Sequence, residues 1–496
     1  MTRVAVIGAG VSGLGAAYRL RTLLGPDLDL TVIEGADRVG GKLRTVELAG
    51  RPYDVGAEAF LARRPEATAL INELGLAADL THPRPAGATI RAGGHTRPIP
   101  TGTVLGVPIS ASSVAEVLSE EGRRRVAAEP GLPPLDLSGA DVAVGPLLRE
   151  RFGPEVPQRL VDPLLGGVYA GHSDSLGLRA TMPALAARLD AGEGSLLRAA
   201  AGLAPPPSAP GATRAPVFGT LRTGLGALAE ALLAAAKADL RLGLPVRALH
   251  RTPTGWRCEI GSAVAPELFD VDAVVLAVPA PAAAKLLAPH APVAATGFGG
   301  IESASMAVVA LALPADAGLP DRSGILIGSG ERRDSGVPFA AKGFTFSSRK
   351  WAHLAEQRAG QLEERPETRS EIRSAGQSAG RSDGQLLIRG SVGRAGEPET
   401  LQRSDEELIE AVRADLADLT GVTAEPVDAV VTRWGGGLPQ YGVGHLDTIA
   451  TIRAAVDELP GLAIAGAALD GVGIPACLAA ADKAAQRIAT MLRRAA

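Results

Sequence analysis

The residues with the most chemical meaning are six near the start of the chain, Gly8-Ala9-Gly10-Val11-Ser12-Gly13, and an acid that follows them, Glu34. Glycines at the first, third and sixth places, with an acidic residue 21 positions after the last, form the spacing of a dinucleotide site. Gly8 permits a tight turn, Gly10 lets backbone approach a pyrophosphate, and Gly13 lets a helix pack close to a strand. Phosphates would meet the free N–H groups and positive dipole end of the helix, and a ribose diol would meet Glu34.

This chemistry needs a fixed order of elements. Val4-Ala5-Val6-Ile7 reads as a buried parallel strand, an Ala/Leu helix follows to about Leu24, and a second strand from Leu28 to Ile33 delivers Glu34 and Gly35. Without that context a glycine motif would carry little weight. A similar unit closes the chain: the apolar strand Leu462 to Gly466, the loop Gly471-Val472-Gly473-Ile474-Pro475, and an Ala-rich helix from Ala476 to Leu492. Two nucleotide-type units so far apart predict one α/β, Rossmann-like domain assembled from discontinuous segments.

Asp37-Arg38-Val39-Gly40-Gly41-Lys42 and Asp54-Val55-Gly56-Ala57-Glu58-Ala59 narrow the cofactor. A nicotinamide fold does not need a second glycine pair behind the acid. The segment resembles the VxE-x(4,5)-GG-(R/K) signature of the FAD-dependent amine oxidase superfamily. That resemblance implies one non-covalent FAD per chain in a domain of glutathione-reductase type. Its contacts would come from Gly8 to Gly13, Glu34, Gly35, Gly41, Lys42, Gly56, Ala57, Glu58, Ala59, Val246, Trp434, Gly466, Val472, Gly473 and Ile474.

Further stretches resemble one branch, the coproporphyrinogen III and protoporphyrinogen IX oxidases of haem biosynthesis. They are Pro163 to Gly171, Leu176 to Pro183, Lys350-Trp351, Gly390 to Gly396, and Trp434 with Leu438-Pro439-Gln440-Tyr441. Gly56-Ala57-Glu58-Ala59 and Phe344-Thr345-Phe346 depart from the family's commoner residues. The branch implies a reduced tetrapyrrole as substrate, O2 as acceptor, and flavin N5 rather than a protein group as the reactive atom. Coproporphyrinogen III is the expected substrate and protoporphyrinogen IX the alternative. An amine oxidase or desaturase on the same fold, and a flavin-binding protein without turnover, are the other readings. The next enzyme of the haem pathway is a possible partner.

Consistent with flavin chemistry, no Ser/His/Asp set or carboxylate pair stands out, and His82, His95, His172, His250, His290, His353 and His445 are scattered. Substrate carboxylates call for arginine, whose planar fork matches them. Arg63 and Arg64 are the candidate anchors, although the same pair reads equally well as solvated charges opening a helix. Tyr169, Met306, Phe344 and Phe346 are candidates for an apolar pocket, and each also suits a core.

With 496 residues the chain is long enough for two or three domains. A net charge of −4 argues against nucleic acid as a partner. Only six of the 50 basic residues are lysine, a bias that GC-rich coding explains. Two cysteines, Cys258 and Cys477, make no disulfide framework, and no metal-ligand set is visible. The start runs directly into the first strand and no apolar run is long enough to span a bilayer, so the expected location is cytoplasmic, with peripheral membrane contact open.

The expected FAD-domain segments are 1–75, 217–290 and 432–496. Segments 76–107 and 291–431 should form a mixed-sheet substrate domain, and 108–200 a helical subdomain. Residues 201–216 read as a linker and 357–383 as a disordered insertion poor in apolar residues.

Overall fold

The computed structural model describes residues 2–204, 215–355 and 384–495. Most of the expected linker and the whole expected insertion at 357–383 lie outside them.

Five short strands form a parallel sheet: β1 (Arg3–Ile7), β2 (Asp29–Ile33), β3 (Asp239–Arg241), β4 (Ala273–Leu276) and β5 (Leu462–Ile464). Their spatial order is β3-β2-β1-β4-β5. Strands covered on both faces read as continuous apolar runs, as here. Val4, Val6, Leu30 and Val32 face one side, against α1 (Val11–Leu24), α2 (Gly226–Ala236) and α3 (Ile474–Ala495). Ala5, Ile7 and Ile33 face the other, against the antiparallel strands Val246–Arg251, Trp256–Gly261 and Pro266–Val271. Strand order reverses between β1 and β4, so the crevice at their carboxyl ends is where an open α/β sheet binds its ligand.

A second, seven-stranded sheet has the order Asp428–Pro439, Ser303–Pro314, Gln385–Val392, Ala341–Thr345, Gly324–Ile327, Thr89–Ala92, His95–Pro98. It is mixed: only Gly324–Ile327 and Thr89–Ala92 run parallel. The helix Asp405–Thr420, started by a reciprocal Ser404–Glu407 capping box, covers one face through Leu408, Val412 and Leu416. On the other face Ala310, Ala312 and Leu387 pack with Tyr53, Val55 and Trp351, joining this sheet to the nucleotide-type domain. The strand Asp428–Pro439 crosses the boundary expected at 431/432, because its ladder with Ser303–Pro314 continues to Pro439.

Residues 108–200 are mainly helical around their own core. Val114, Val117 and Leu118 are buried in it, although Ser112–Val114 is only a 3-10 turn. Among the described residues no helix is long and apolar enough to cross a membrane.

Candidate active site

The glycine loop leaves β1 and ends in α1. At Gly13 a Cβ would stand 1.8 Å from the Gly8 carbonyl oxygen, so the close approach of helix to strand admits only glycine. At Gly10 a Cβ would meet nothing within 4 Å, and α1 has no side-chain cap. The first turn of α1 is therefore without a side-chain cap, and no side chain at Gly10 stands in the way of a phosphate. Glu34 accepts from the Ala9 N–H at 2.7 Å and the Ala36 N–H at 2.9 Å, which fixes its carboxylate beside the loop. Leu244 N–H donates to the Glu34 carbonyl and Gly243 N–H to that of Ala36, bringing Gly35 and Val246 to the same end.

The second glycine pair closes over the first. Gly40 N–H donates to the Ala9 carbonyl at 2.8 Å, and a Cβ on Gly41 would come within 3.1 Å of the Gly10 Cα. Arg38 holds this turn by donating to the Val39 and Gly41 carbonyls, and its guanidinium lies 5.8 Å from the Trp434 ring centroid. Trp434 Nε1 donates to the Val55 carbonyl at 2.9 Å, and the Ala57 N–H to that of Lys42 at 2.9 Å. Lys42 is solvent-accessible yet walled by protein on most sides, and this desolvation lowers its ammonium pKa. Gly10, Gly41, Lys42, Gly56, Ala57 and Trp434 thus gather on one side of the crevice.

Glu58 is buried under that turn. It pairs with Arg389 at 3.0 Å and Lys350 at 3.4 Å, and accepts from Trp351 Nε1. Burial alone would raise its carboxyl, but the two cations outweigh burial and hold it at about 2. Arg389 Nη1 also donates to the Gly56 carbonyl at 2.9 Å. Glu58 therefore acts on the crevice through Arg389 and the turn backbone. Ala59 packs beside it against the Tyr53–Trp351 cluster.

Asp54, in the same turn, shows the opposite balance. Burial raises its carboxyl from 3.8 to about 7, against hydrogen bonds from Thr45 Oγ1 at 2.6 Å and Leu225 N–H at 3.1 Å. The folded state keeps a proton that the unfolded chain releases near 3.8, so this group makes stability fall as pH rises from about 4 to about 7. Asp54→Asn should flatten that part of the profile. Urea midpoints of both proteins between pH 4 and 8 measure it, and an unchanged slope would show that Asp54 does not set it.

The C-terminal loop meets the first one. Ser12 lies within hydrogen-bonding reach of Cys477, so the N-termini of α1 and α3 stand side by side and two positive dipole ends face one crevice. Tyr441 stacks on His445 with ring centroids 4.0 Å apart. Tyr441 Oη donates to the Ala467 carbonyl, and His445 Nε2 lies 3.1 Å from that of Leu469, which pins the loop from Gly466 to Ile474. Val472 packs against the helical core that contains Tyr169. Cys477 is buried, which raises its thiol pKa, and its sulfur lies 3.8 Å from the Gly471 carbonyl oxygen.

The apolar candidates divide. Tyr169 is buried 5.5 Å from Tyr441, ring to ring, and half-buried Met306 stands opposite Trp434 in register. Phe344 and Phe346 correct the expectation of a pocket lining. Both fill the core under helix Asp405–Thr420, on the sheet face that also holds Val412 and away from Arg389. Arg63 and Arg64 are exposed at the start of helix Pro65–Glu73, where Arg64 pairs with Glu66 at 2.5 Å. Arg38 and Arg389 are additional residues of the site. An arginine inside the apolar run Leu386 to Val392 was a visible signal for Arg389.

Comparison with known proteins gives the same reading. The model of the family described as flavin containing amine oxidoreductase matches residues 11–489. A protein of Mycobacterium leprae named coproporphyrinogen III oxidase is 39% identical over 489 residues, covering 99% of this chain and 98% of its own. The Bacillus subtilis protein of the same name is 30% identical over 484 residues, covering 96% and 95%. A crystal structure of a protein from Exiguobacterium sp. 255-15 superimposes with a TM-score of 0.80 at 29% identity, covering 99% of both chains. The chain is therefore an oxidoreductase of the flavin-containing amine oxidoreductase family.

Proposed function

We propose that the protein oxidises coproporphyrinogen III to coproporphyrin III with one non-covalently bound FAD, within haem synthesis. The observation that carries the reading is likeness along almost the whole chain to relatives named coproporphyrinogen III oxidase. A bound FAD supplies a two-electron acceptor, so three rounds carry six electrons from the tetrapyrrole to three O2, giving three H2O2.

The residues present fit that cofactor. The uncapped start of α1 and the open face at Gly10 suit a pyrophosphate, and Glu34, fixed by two N–H groups, suits a ribose. The start of α3 beside them would favour negative charge gathering on the ring system. Gly56, Ala57 and Trp434 would orient the rings through a turn that Arg389 and Glu58 brace. Tyr169 and Tyr441 would keep water from the inner wall. Burial keeps the Cys477 thiol protonated, in line with non-covalent binding.

Anaerobic mixing with coproporphyrinogen III tests the reading. The yellow absorbance of the holoenzyme should bleach and return when air is admitted. Bleaching by a primary amine, with none by the porphyrinogen, would favour an amine oxidase instead.

A further inference from the structure

Three neighbouring strands of the large sheet end on one edge: Gly324–Ile327 and Gln385–Val392 finish there, and Ala341–Thr345 begins there. Beyond that edge lies a pocket of about 260 Å³, whose lining includes Lys342, Arg394, His172 and Glu397. Lys342 is 8% exposed. Among the described residues neither Lys342 nor Arg394 makes a side-chain hydrogen bond or ion pair, and Arg394 Nη1 is buried without a partner.

Two of the nearby acids have donors of their own, and Asp162 and Glu397 attract Arg394 from a distance. Glu331 accepts from the Gly93 and Gly94 N–H groups, and Asp162 from Ser173 N–H and Ser329 Oγ. Glu397 faces both cations without an ion pair to either. A buried cation beside a half-buried one is costly unless an anion satisfies them. Burial first, and then Arg394, push the Lys342 ammonium down to about 7, and Glu397 offsets this only in part.

We infer that Lys342 and Arg394 form a carboxylate-binding subsite, the ammonium serving as a point charge and the guanidinium as a planar fork. A propionate arm of the porphyrinogen is the source to which the geometry points, and that identification rests on the proposed function. Arg389 touches the crevice turn and Arg394 follows five residues later on the same stretch of chain. Strand Gln385–Val392 ends between them and the chain turns at Gly393, whose φ is +90°, so at about 3.3 Å per residue the two stand at most roughly 17 Å apart, within the reach of a tetrapyrrole with extended arms. The helix Asp162–Tyr169 touches both Arg394 and the Tyr441 wall of the crevice. Its Gly166 lies against Arg394, where a Cβ would be 3.0 Å from Nη1, and its Tyr169 lies beside Tyr441.

The test uses the full-length holoenzyme and its Lys342→Gln, Arg394→Gln and Lys342→Arg variants, with melting temperature and flavin content measured first. Coproporphyrin III binding is followed by fluorescence, its uncharged tetramethyl ester is the control, and succinate binding is followed by thermal shift. Lys342→Gln and Arg394→Gln should each weaken coproporphyrin III binding by about tenfold or more. They should leave the ester unaffected, and Lys342→Arg should restore most of the affinity. In turnover the same variants should raise KM far more than they lower kcat. Equal loss for acid and ester would overturn the subsite as a merely structural effect. Unchanged binding of both coproporphyrin III and succinate in the two glutamine variants would also overturn it. Lys342-dependent succinate binding with unchanged coproporphyrin affinity supports the anion site and overturns the propionate as its source. If wild type binds succinate through Lys342 but binds no porphyrin, the proposed function fails and the anion site stands.

Discussion

Arg389→Met is expected to destabilise the fold by about 3 kcal/mol and to strip the protein of flavin, because it breaks a buried ion pair from one side only. Glu58 is 7% exposed, and without Arg389 only Lys350 at 3.4 Å and the Trp351 N–H remain to meet its charge. The turn also loses the hydrogen bond that Arg389 gives to the Gly56 carbonyl. The loss should depend on pH. With its carboxyl held near 2 against an ordinary 4.5, Glu58 contributes stability that is present above about 4.5 and disappears as pH falls toward 2. Arg389→Met should lose most above pH 4.5 and converge on wild type in acid. Urea melts at several pH values with flavin counted by absorbance measure both effects. Wild-type flavin content at neutral pH would exclude Arg389 from bracing the site.

Arg151→Met is expected to open the helical subdomain at a cost of about 3–5 kcal/mol. Glu129 is fully buried, and Arg151 donates to it through Nε at 2.8 Å while also holding the Pro133 carbonyl at 2.7 Å. The same carboxylate accepts from the Leu196 and Leu197 N–H groups and from Ser195 Oγ, so it starts the helix Leu196–Ala201. Removing the guanidinium leaves a buried negative charge with neutral donors only. Adding Glu129→Gln should return part of the loss, since the charge goes while an acceptor stays. Limited proteolysis near residue 200 and thermal melts measure it; a single variant as resistant as wild type would contradict the assigned role.

The parts of the fold that were legible in the sequence are those fixed by local spacing. The Gly8-to-Gly13 loop between β1 and α1, Glu34 at the end of β2, and the Gly471-to-Pro475 loop before α3 each follow from a few adjacent residues. Backbone constraints of that kind are written where they act. The face of a sheet that receives a helix is not. Phe344 and Phe346 suited a pocket and a core alike, and Asp405–Thr420, more than fifty positions later in the chain, packs on their side and makes them core. The strand Asp428–Pro439 passed its expected boundary because its register depends on a partner at Ser303–Pro314.

Charge was harder to read than backbone. Arg63 and Arg64 form a conspicuous pair in sequence and are exposed, whereas Arg389, Lys342 and Arg394 stand singly and are wholly or largely withdrawn from water. Their roles come from partners that the chain brings together across long separations, as Arg389 meets Gly56 and Arg394 meets Gly166. Apolar surroundings were a signal at Arg389 and the Gly390-to-Gly396 stretch at Arg394, whereas nothing local pointed to Lys342.

Steady-state oxidation of coproporphyrinogen III and protoporphyrinogen IX by the holoenzyme without detergent, with H2O2 counted against porphyrin formed, tests the central claim most directly. A higher kcat/KM for coproporphyrinogen III and three H2O2 for each coproporphyrin released are the expected results. A higher kcat/KM for protoporphyrinogen IX, or no oxidation of either by flavin-replete protein, would contradict the claim.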